Sequence, residues 1–267
     1  MPRDARVCYN LSMEVKDRVV LITGASGGIG LATAKLLARH GAKVALAARS
    51  RDKLKAAAQE LPGSLPVTAD ISRLKDIVAM VKVVCAHFGR IDILVNNAGR
   101  GYDAPLEKTN VETLSGIFDL DFVGPLVAMQ EVIPIMRAQG GGLIVNVSSG
   151  TALMHLPNMG GYSALKRALA HLSLTAREEL AKDHIGVSVV YPYITVTDFE
   201  ENTIKDFVEE DPDEATAQPG EEGEGGYQPP PPDTAEFVAQ KILDGIRSEA
   251  AEIFAHDWMK KRANANP

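Results

Sequence analysis

From Arg18 onward, short apolar runs rich in β-branched residues alternate with longer amphipathic segments. The runs Arg18–Thr23, Val44–Ala48, Pro66–Ala69, Ile91–Val95, Leu143–Val147 and Gly186–Tyr191 read as strands. Between them, Ala32–His40, Asp52–Glu60, Lys75–Phe88, a long stretch from about Val111 to Ala138, and Tyr162–Lys182 repeat apolar positions at the helical period. Six strands joined by five helical crossovers predict one parallel sheet with helices on both faces, a doubly wound α/β architecture. Strands covered on both faces should be apolar throughout, and Val19–Ile22 and Ile91–Val95 read that way.

The alternation stops between Phe199 and Asp233, where acidic residues, the Gly-rich stretch Pro219–Gly226 and the run Pro229–Pro232 cannot supply a core. Residues 199–233 are therefore expected to form a variable loop or lid. Helical spacing resumes over Thr234–Arg247, with Phe237, Val238, Ile242, Leu243 and Ile246 on one stripe. The aperiodic residues 1–12 read as an extension, 13–256 as a single domain and 257–267 as a tail. A length of 267 residues suits one α/β unit of this kind.

Charge sharpens the picture. The chain carries 28 Lys and Arg against 35 Asp and Glu, a net charge of -7, which gives a polyanion such as nucleic acid nothing to bind. Between Asp198 and Glu236 stand 14 of the acidic residues and one basic residue, Lys205, so the remainder of the chain is mildly basic. Two cysteines, Cys8 and Cys85, are too few for a disulfide scaffold and fit a reducing, cytoplasmic setting. The longest stretch free of charged side chains, Ala138–Leu165, is broken by six glycines and a proline and does not read as a membrane span. The six histidines show no metal-ligand spacing, and His155 reads as loop packing; no metal is expected.

The first strand runs into Thr23-Gly24-Ala25-Ser26-Gly27-Gly28-Ile29-Gly30 and then into a helix, the context of a dinucleotide-binding Rossmann turn. Gly24 permits the tight turn, Gly28 lets backbone approach a pyrophosphate, and Gly30 lets helix and strand pack closely; Ser26 and Ile29 belong to the same turn. The second strand ends at Ala48, followed by Arg49 and Ser50, with no carboxylate where a ribose 2′-hydroxyl would be bound. A guanidinium there suits a 2′-phosphate, which points to NADP(H) rather than NAD(H).

Tyr162 and Lys166 lie four residues apart on a predicted helix, hence on one face, where an ammonium can stabilise a phenolate. Combined with Thr23–Gly30, Asn96-Asn97-Ala98-Gly99 after the fourth strand and Ser148-Ser149 after the fifth, this pattern resembles the short-chain dehydrogenase/reductase family over about Val15–Thr197. The resemblance implies that Tyr162 is a general acid/base. Lys166 would hold the nicotinamide ribose and depress the Tyr162 pKa, while Ser149 would hydrogen-bond the substrate oxygen and Ser148 would be structural. It further implies that Asp70 and Ile71 contact adenine and that Asn97, Ala98 and Gly99 line the adenosine ribose. Asn96 would stabilise the sheet, and Pro192, Thr195 and Thr197 would border the cofactor, Thr197 at the carboxamide.

The chain departs from the family pattern twice. Tyr193 replaces a glycine, and either fills the pocket wall or disturbs the nicotinamide. Asp121 stands where the family's active-site tetrad has asparagine; its charge would raise the pKa of Lys166 and offset the field of that lysine at Tyr162. The reading is an oxidoreductase that moves a hydride between NADP(H) and a carbonyl or secondary alcohol. Met154 and Met159 hint at an apolar substrate. The helices 111–138 and 162–182 are expected to pair in a homodimer or homotetramer, as in the family. Two alternatives stand beside this: an NAD-linked alcohol dehydrogenase, and a nucleotide-binding sensor that has lost turnover.

Overall fold

The computed structural model describes residues 13–206 and 230–265. The extension Met1–Ser12 with Cys8, the greater part of the expected lid (207–229) and the last two residues lie outside the described residues.

Seven strands form one sheet: β1 (Val19–Thr23), β2 (Lys43–Ala48), β3 (Leu65–Thr68), β4 (Ile93–Asn96), β5 (Gly142–Val147), β6 (Ile185–Tyr191) and β7 (Glu252–Phe254). Their order is β3-β2-β1-β4-β5-β6-β7, every pairing is parallel, and the doubly wound expectation holds. The helices are α1 (Gly28–Arg39), α2 (Arg51–Glu60), α3 (Leu74–Phe88), α4 (Val111–Phe118), α5 (Gly124–Ala138), α6 (Gly160–Leu180), α7 (Ala235–Ser248) and α8 (Asp257–Ala265). The order reverses between β1 and β4, so the carboxyl ends of those strands border the crevice in which such sheets bind ligands.

Alternate residues of each central strand feed two cores. Val20, Ile22, Ile93 and Val145 pack with Leu37 of α1 and with Val238, Ile242 and Ile246 of α7. Leu21, Leu94 and Ile144 face the other way, toward Ile77, Met80 and Val84 of α3 and Val132 and Met136 of α5. Burying Val238, Ile242, Leu243 and Ile246 of α7 contributes on the order of 6–12 kcal/mol before entropy is charged against it. Thr234 caps this helix by accepting from the Phe237 N–H at 3.1 Å.

Four features depart from the pattern. The run Ile91–Val95 is interrupted by Asp92, a buried carboxylate just before β4. It accepts from the Val19 N–H at 2.9 Å and from Arg18 and Arg90 at 3.1 and 2.6 Å. A seventh strand, β7, follows α7 and pairs with β6; α7 crosses it at Gly245, where a Cβ would collide with Ile253. The stretch 111–138 is helical throughout, but Asp119–Val123 forms a π-helical turn between α4 and α5. Beyond β7, residues 257–265 form α8, whose Met259 is fully buried against Gly150.

Candidate active site

The glycine turn is built for close approach. Gly24 has φ +66, and a Cβ there would fall 2.9 Å from the Ala98 Cα. At Gly30 a Cβ would sit 2.5 Å from the Gly24 carbonyl oxygen, so α1 cannot pack on β1 with any larger residue. Thr23 ties this turn to the next strand: its hydroxyl accepts from the N–H groups of Asn97 and Ala98, each at 3.0 Å. The Asn97 side chain donates back to the Thr23 carbonyl at 3.0 Å. Gly27, ahead of α1, supplies no side-chain cap, which leaves the first-turn N–H groups to face an incoming anion. Across the opening Thr197 meets Gly28, whose φ is +50; a Cβ there would lie 3.2 Å from the threonine methyl.

Asn96 donates to Asn146 at 2.8 Å, and Asn146 donates to Ser173 of α6 at 2.7 Å. This buried polar chain fixes α6 against the sheet, and α6 in turn carries Tyr162 and Lys166. The Lys166 ammonium lies 2.9 Å from Asp121 Oδ2, donates to the Val147 carbonyl at 3.2 Å and sits 5.7 Å from the centre of the Tyr162 ring. Asp121 has no exposed surface, and its Oδ1 accepts from the Arg100 N–H at 3.0 Å. Gly99 closes over the pair, since a Cβ there would be 2.9 Å from Asp121 Oδ2. Ser149 hydrogen-bonds Tyr162 and accepts from the Thr151 N–H and hydroxyl at 3.2 and 3.0 Å. Ser148 instead donates to the Lys166 carbonyl at 2.8 Å.

The electrostatics follow from this packing. Burial pushes the Tyr162 phenol above its ordinary value; Asp121 adds to the rise, while Lys166 and the Ser149 hydrogen bond oppose it without prevailing. Lys166 is also held above its ordinary value: burial works against its charge, and the carboxylate of Asp121 outweighs that. Burial raises Asp121 in spite of Lys166 and the Arg100 N–H. A buried phenol, ammonium and carboxylate and a half-buried hydroxyl thus meet at the carboxyl ends of the strands, beside the glycine turn.

The short chain dehydrogenase family model matches residues 18–207 of this chain. The chain belongs to that family. Levodione reductase of Leifsonia aquatica is 32% identical over 209 residues, covering 76% of this chain and 78% of that protein. A 3-oxoacyl-[acyl-carrier-protein] reductase of Thermotoga maritima is 36% identical over 184 residues, 67% of this chain and 75% of the relative. The crystal structure of 3-ketoacyl-(acyl-carrier-protein) reductase from Brucella melitensis, complexed with NADH, superposes with a TM-score of 0.77 at 26% identity. It covers 90% of this chain and 97% of that one. The protein is therefore a short-chain dehydrogenase, an oxidoreductase of a family that uses NAD(P)(H). Among the described residues no helix is long and apolar enough to cross a membrane.

Beyond the carboxyl end of β2, Arg49 is exposed and lines a cavity of about 440 Å³ with Ser72, Arg100, Thr113, Leu120 and Ile204. Ser50 caps α2, accepting from the Lys53 N–H at 3.4 Å. Asp70 accepts from the Ser72 N–H and hydroxyl at 3.0 and 2.7 Å. Burial works to raise its carboxyl, but these bonds and the nearby Arg49 and Arg73 hold it below the usual range. Ile71 is buried, its carbonyl pressed on Gly124, where a Cβ would be 2.5 Å away. Ser26 and Ile29 are half-buried in the turn.

At the opposite end, Pro192 is buried and its carbonyl accepts from the Gly150 N–H at 2.7 Å. Tyr193 occupies the family's glycine position without positive φ, and its ring packs on His256 and Trp258 at 5.6 and 5.7 Å between centres. The tyrosine therefore fills a wall made by β7 and α8. The Thr195 hydroxyl turns back to the Tyr193 carbonyl at 2.8 Å, and that of Thr197 accepts from the Phe199 N–H at 3.2 Å.

Two residues at this site were not singled out from sequence. Arg100 directly follows Asn97-Ala98-Gly99; its backbone serves Asp121 while its side chain donates to the Asn202 carbonyl at 2.6 Å. Asp103, half-buried, contributes its charge to the field at Tyr162. Both belong to the loop after β4, which pairs with residues 204–205 at the start of the lid segment. Their signal was proximity to the asparagine motif, which periodicity cannot register.

Proposed function

We propose that this dehydrogenase reduces a carbonyl group with NADP(H), Tyr162 donating the proton. The observation that carries the reading is the gathering of Tyr162, Lys166, Ser149 and Asp121 around one buried phenol beside the glycine turn. The cradle at Gly24, Gly28 and Gly30, which side chains would obstruct, fits a dinucleotide. Gly24, Ser26, Gly28, Ile29 and Gly30 would hold its pyrophosphate, Arg49 and Ser50 the 2′-phosphate, Asp70 and Ile71 the adenine, and Asn97, Ala98 and Gly99 the adenosine ribose. Lys166 would hold the nicotinamide ribose, and Pro192, Thr195 and Thr197 the nicotinamide side. When bound, the nicotinamide supplies the hydride that forms the new C–H bond at the carbonyl carbon.

Ser149 holds the carbonyl oxygen, and Tyr162 passes it the phenolic proton, completing an alcohol and leaving a phenolate that regains its proton from solvent. Tyr162 shares an apolar cluster with Leu114, Ile117, Met159 and Ile204, and its ring centre lies 6.2 Å from that of Phe199, which supports an apolar substrate. The outer faces of α5 and α6 are the proposed contact of a homodimer or homotetramer. A second reading, NAD(H) as the coenzyme, draws on the NADH complex of the Brucella melitensis relative.

The deciding experiment titrates the purified protein with NADPH and with NADH by nicotinamide fluorescence, then offers each complex small and bulky ketones. NADPH bound at least tenfold more tightly, with that preference reversed by Arg49→Asp and with turnover of an apolar ketone, is the expected outcome. Equal or tighter NADH binding supports the second reading. Tight binding with no turnover of any ketone supports a nucleotide sensor instead.

A further inference from the structure

We propose that Asp121 is a positioning residue that cancels the charge of Lys166 at the Tyr162 phenol, so that the resting site stands armed as a proton donor and favours carbonyl reduction. The inference rests on the reading of Tyr162 as the proton-transfer group. With an amide at position 121, the ammonium would be the one formal charge buried against the phenol. Here a carboxylate without exposed surface lies 2.9 Å from that ammonium, and the pair presents no net charge to the ring. The π-helical turn brings the carboxylate into the site, and Gly99 with the Arg100 N–H holds it there.

The other groups facing the phenol do not restore the missing positive field. Ser149, from the turn after β5, gives a neutral hydrogen bond. Asp103, from the loop after β4, adds a negative charge of its own, with Lys205 and Glu200 beside it in opposite senses. Phe199 from the lid segment and Ile117 from α4 bring no charge. The Tyr102 hydroxyl faces away, donating to Asp206 at 2.9 Å and accepting from the Asn110 N–H at 2.8 Å. Burial and these charges together hold the phenol above its ordinary value.

The consequence is directional. A protonated phenol can complete the O–H bond of a nascent alcohol across the neutral range. The reverse step needs a phenolate to take a proton from the alcohol while hydride leaves its carbon for an oxidised nicotinamide, and so belongs to alkaline pH.

The test follows phenolate absorbance during a pH titration of the cofactor-free protein, with the Tyr162→Phe trace subtracted to isolate one ring. The wild-type midpoint is expected above the ordinary tyrosine value of about 10, or the phenol stays protonated until the protein unfolds beyond that pH. In Asp121→Asn the midpoint falls by about one pH unit or more, and the alcohol-oxidation profile of the loaded enzyme moves to lower pH by the same amount. A wild-type midpoint below about 10, or a natively folded Asp121→Asn protein whose midpoint stays put, overturns the proposal. Should Asp121→Asn fail to fold, Asp121→Ser takes its place in the same comparison with the wild-type titration. Failure of the underlying reading looks different: Tyr162→Phe would keep its turnover while the wild-type and Asp121→Asn titrations still differed.

Discussion

Asp92 and Asp121 are both buried carboxylates beside cations, at opposite ends of the parallel sheet, and their surroundings push them in opposite directions. Burial raises each. At Asp92 the Arg90 fork, the Val19 N–H and Arg18 outweigh it, and the carboxyl titrates below its usual range. At Asp121 one shared ammonium and one N–H do not outweigh burial, and the carboxyl sits above that range. The arginines at Asp92 keep about half their surface in water, whereas Lys166 is enclosed with its partner. One end of the sheet thus satisfies a charge to hold strands together, and the other leaves a charge incompletely compensated where chemistry is proposed.

The largest expected effect lies at the carboxyl end. Tyr162→Phe should lower kcat/KM by roughly 10²–10⁴-fold while the urea midpoint of unfolding barely moves. A drop in stability of comparable size would erase the division between the two ends. The next effect lies at the amino end: Asp92→Asn should cost about 2–4 kcal/mol in urea unfolding, less than a fully enclosed pair because the guanidiniums stay solvated. Activity per folded molecule should be unchanged. Since Asp92 is held below the ordinary aspartate value of about 3.9, its stabilisation is complete above that pH. It is lost as pH falls through the lower folded-state value, so the variant should show a flatter acid limb. The smallest effect tests the connection between the ends. Gly30→Ala, which forces a Cβ against the Gly24 carbonyl, should cost about 1–3 kcal/mol and weaken nucleotide binding together, as calorimetry can measure.

Much of this was legible in the chain. Alternation of strand and helix periods gave six of the seven strands and the parallel sheet, because burial on both faces leaves a strong imprint over five or six residues. The three residues of β7 are too short for any period to register, and only the edge of β6 shows that they pair. Asp92 was passed over inside an apolar run, since two of its partners, Arg18 and the Val19 N–H, lie more than seventy residues away and only Arg90 is near it in sequence. At the site, the residues that the family resemblance singled out, Ser149, Tyr162, Lys166 and Asp121, lie near one another in the fold. Spacing alone suggested a phenol drawn down by its lysine. The lysine does draw the phenol down, but burial outweighs it, because burial depth is a property of the packed molecule. Tyr193 was likewise undecided until its backbone conformation and the aromatic wall beyond it were visible.

The π-helical turn at Asp119–Val123 sets a phase. Such a turn accommodates one residue more than an α-helical course would need, and each residue rotates a helix by about 100°. Ahead of it, Ile117 packs in the cluster that holds Tyr102 and Tyr162; behind it, Ala128, Met129, Val132 and Met136 pack with the sheet. Removing a single residue between 119 and 123 would swing one of these two sets off its target, however conservative the remaining sequence. Chain length across this turn is therefore constrained more tightly than the identity of its exposed side chains, and libraries that vary the region should substitute residues without deleting any.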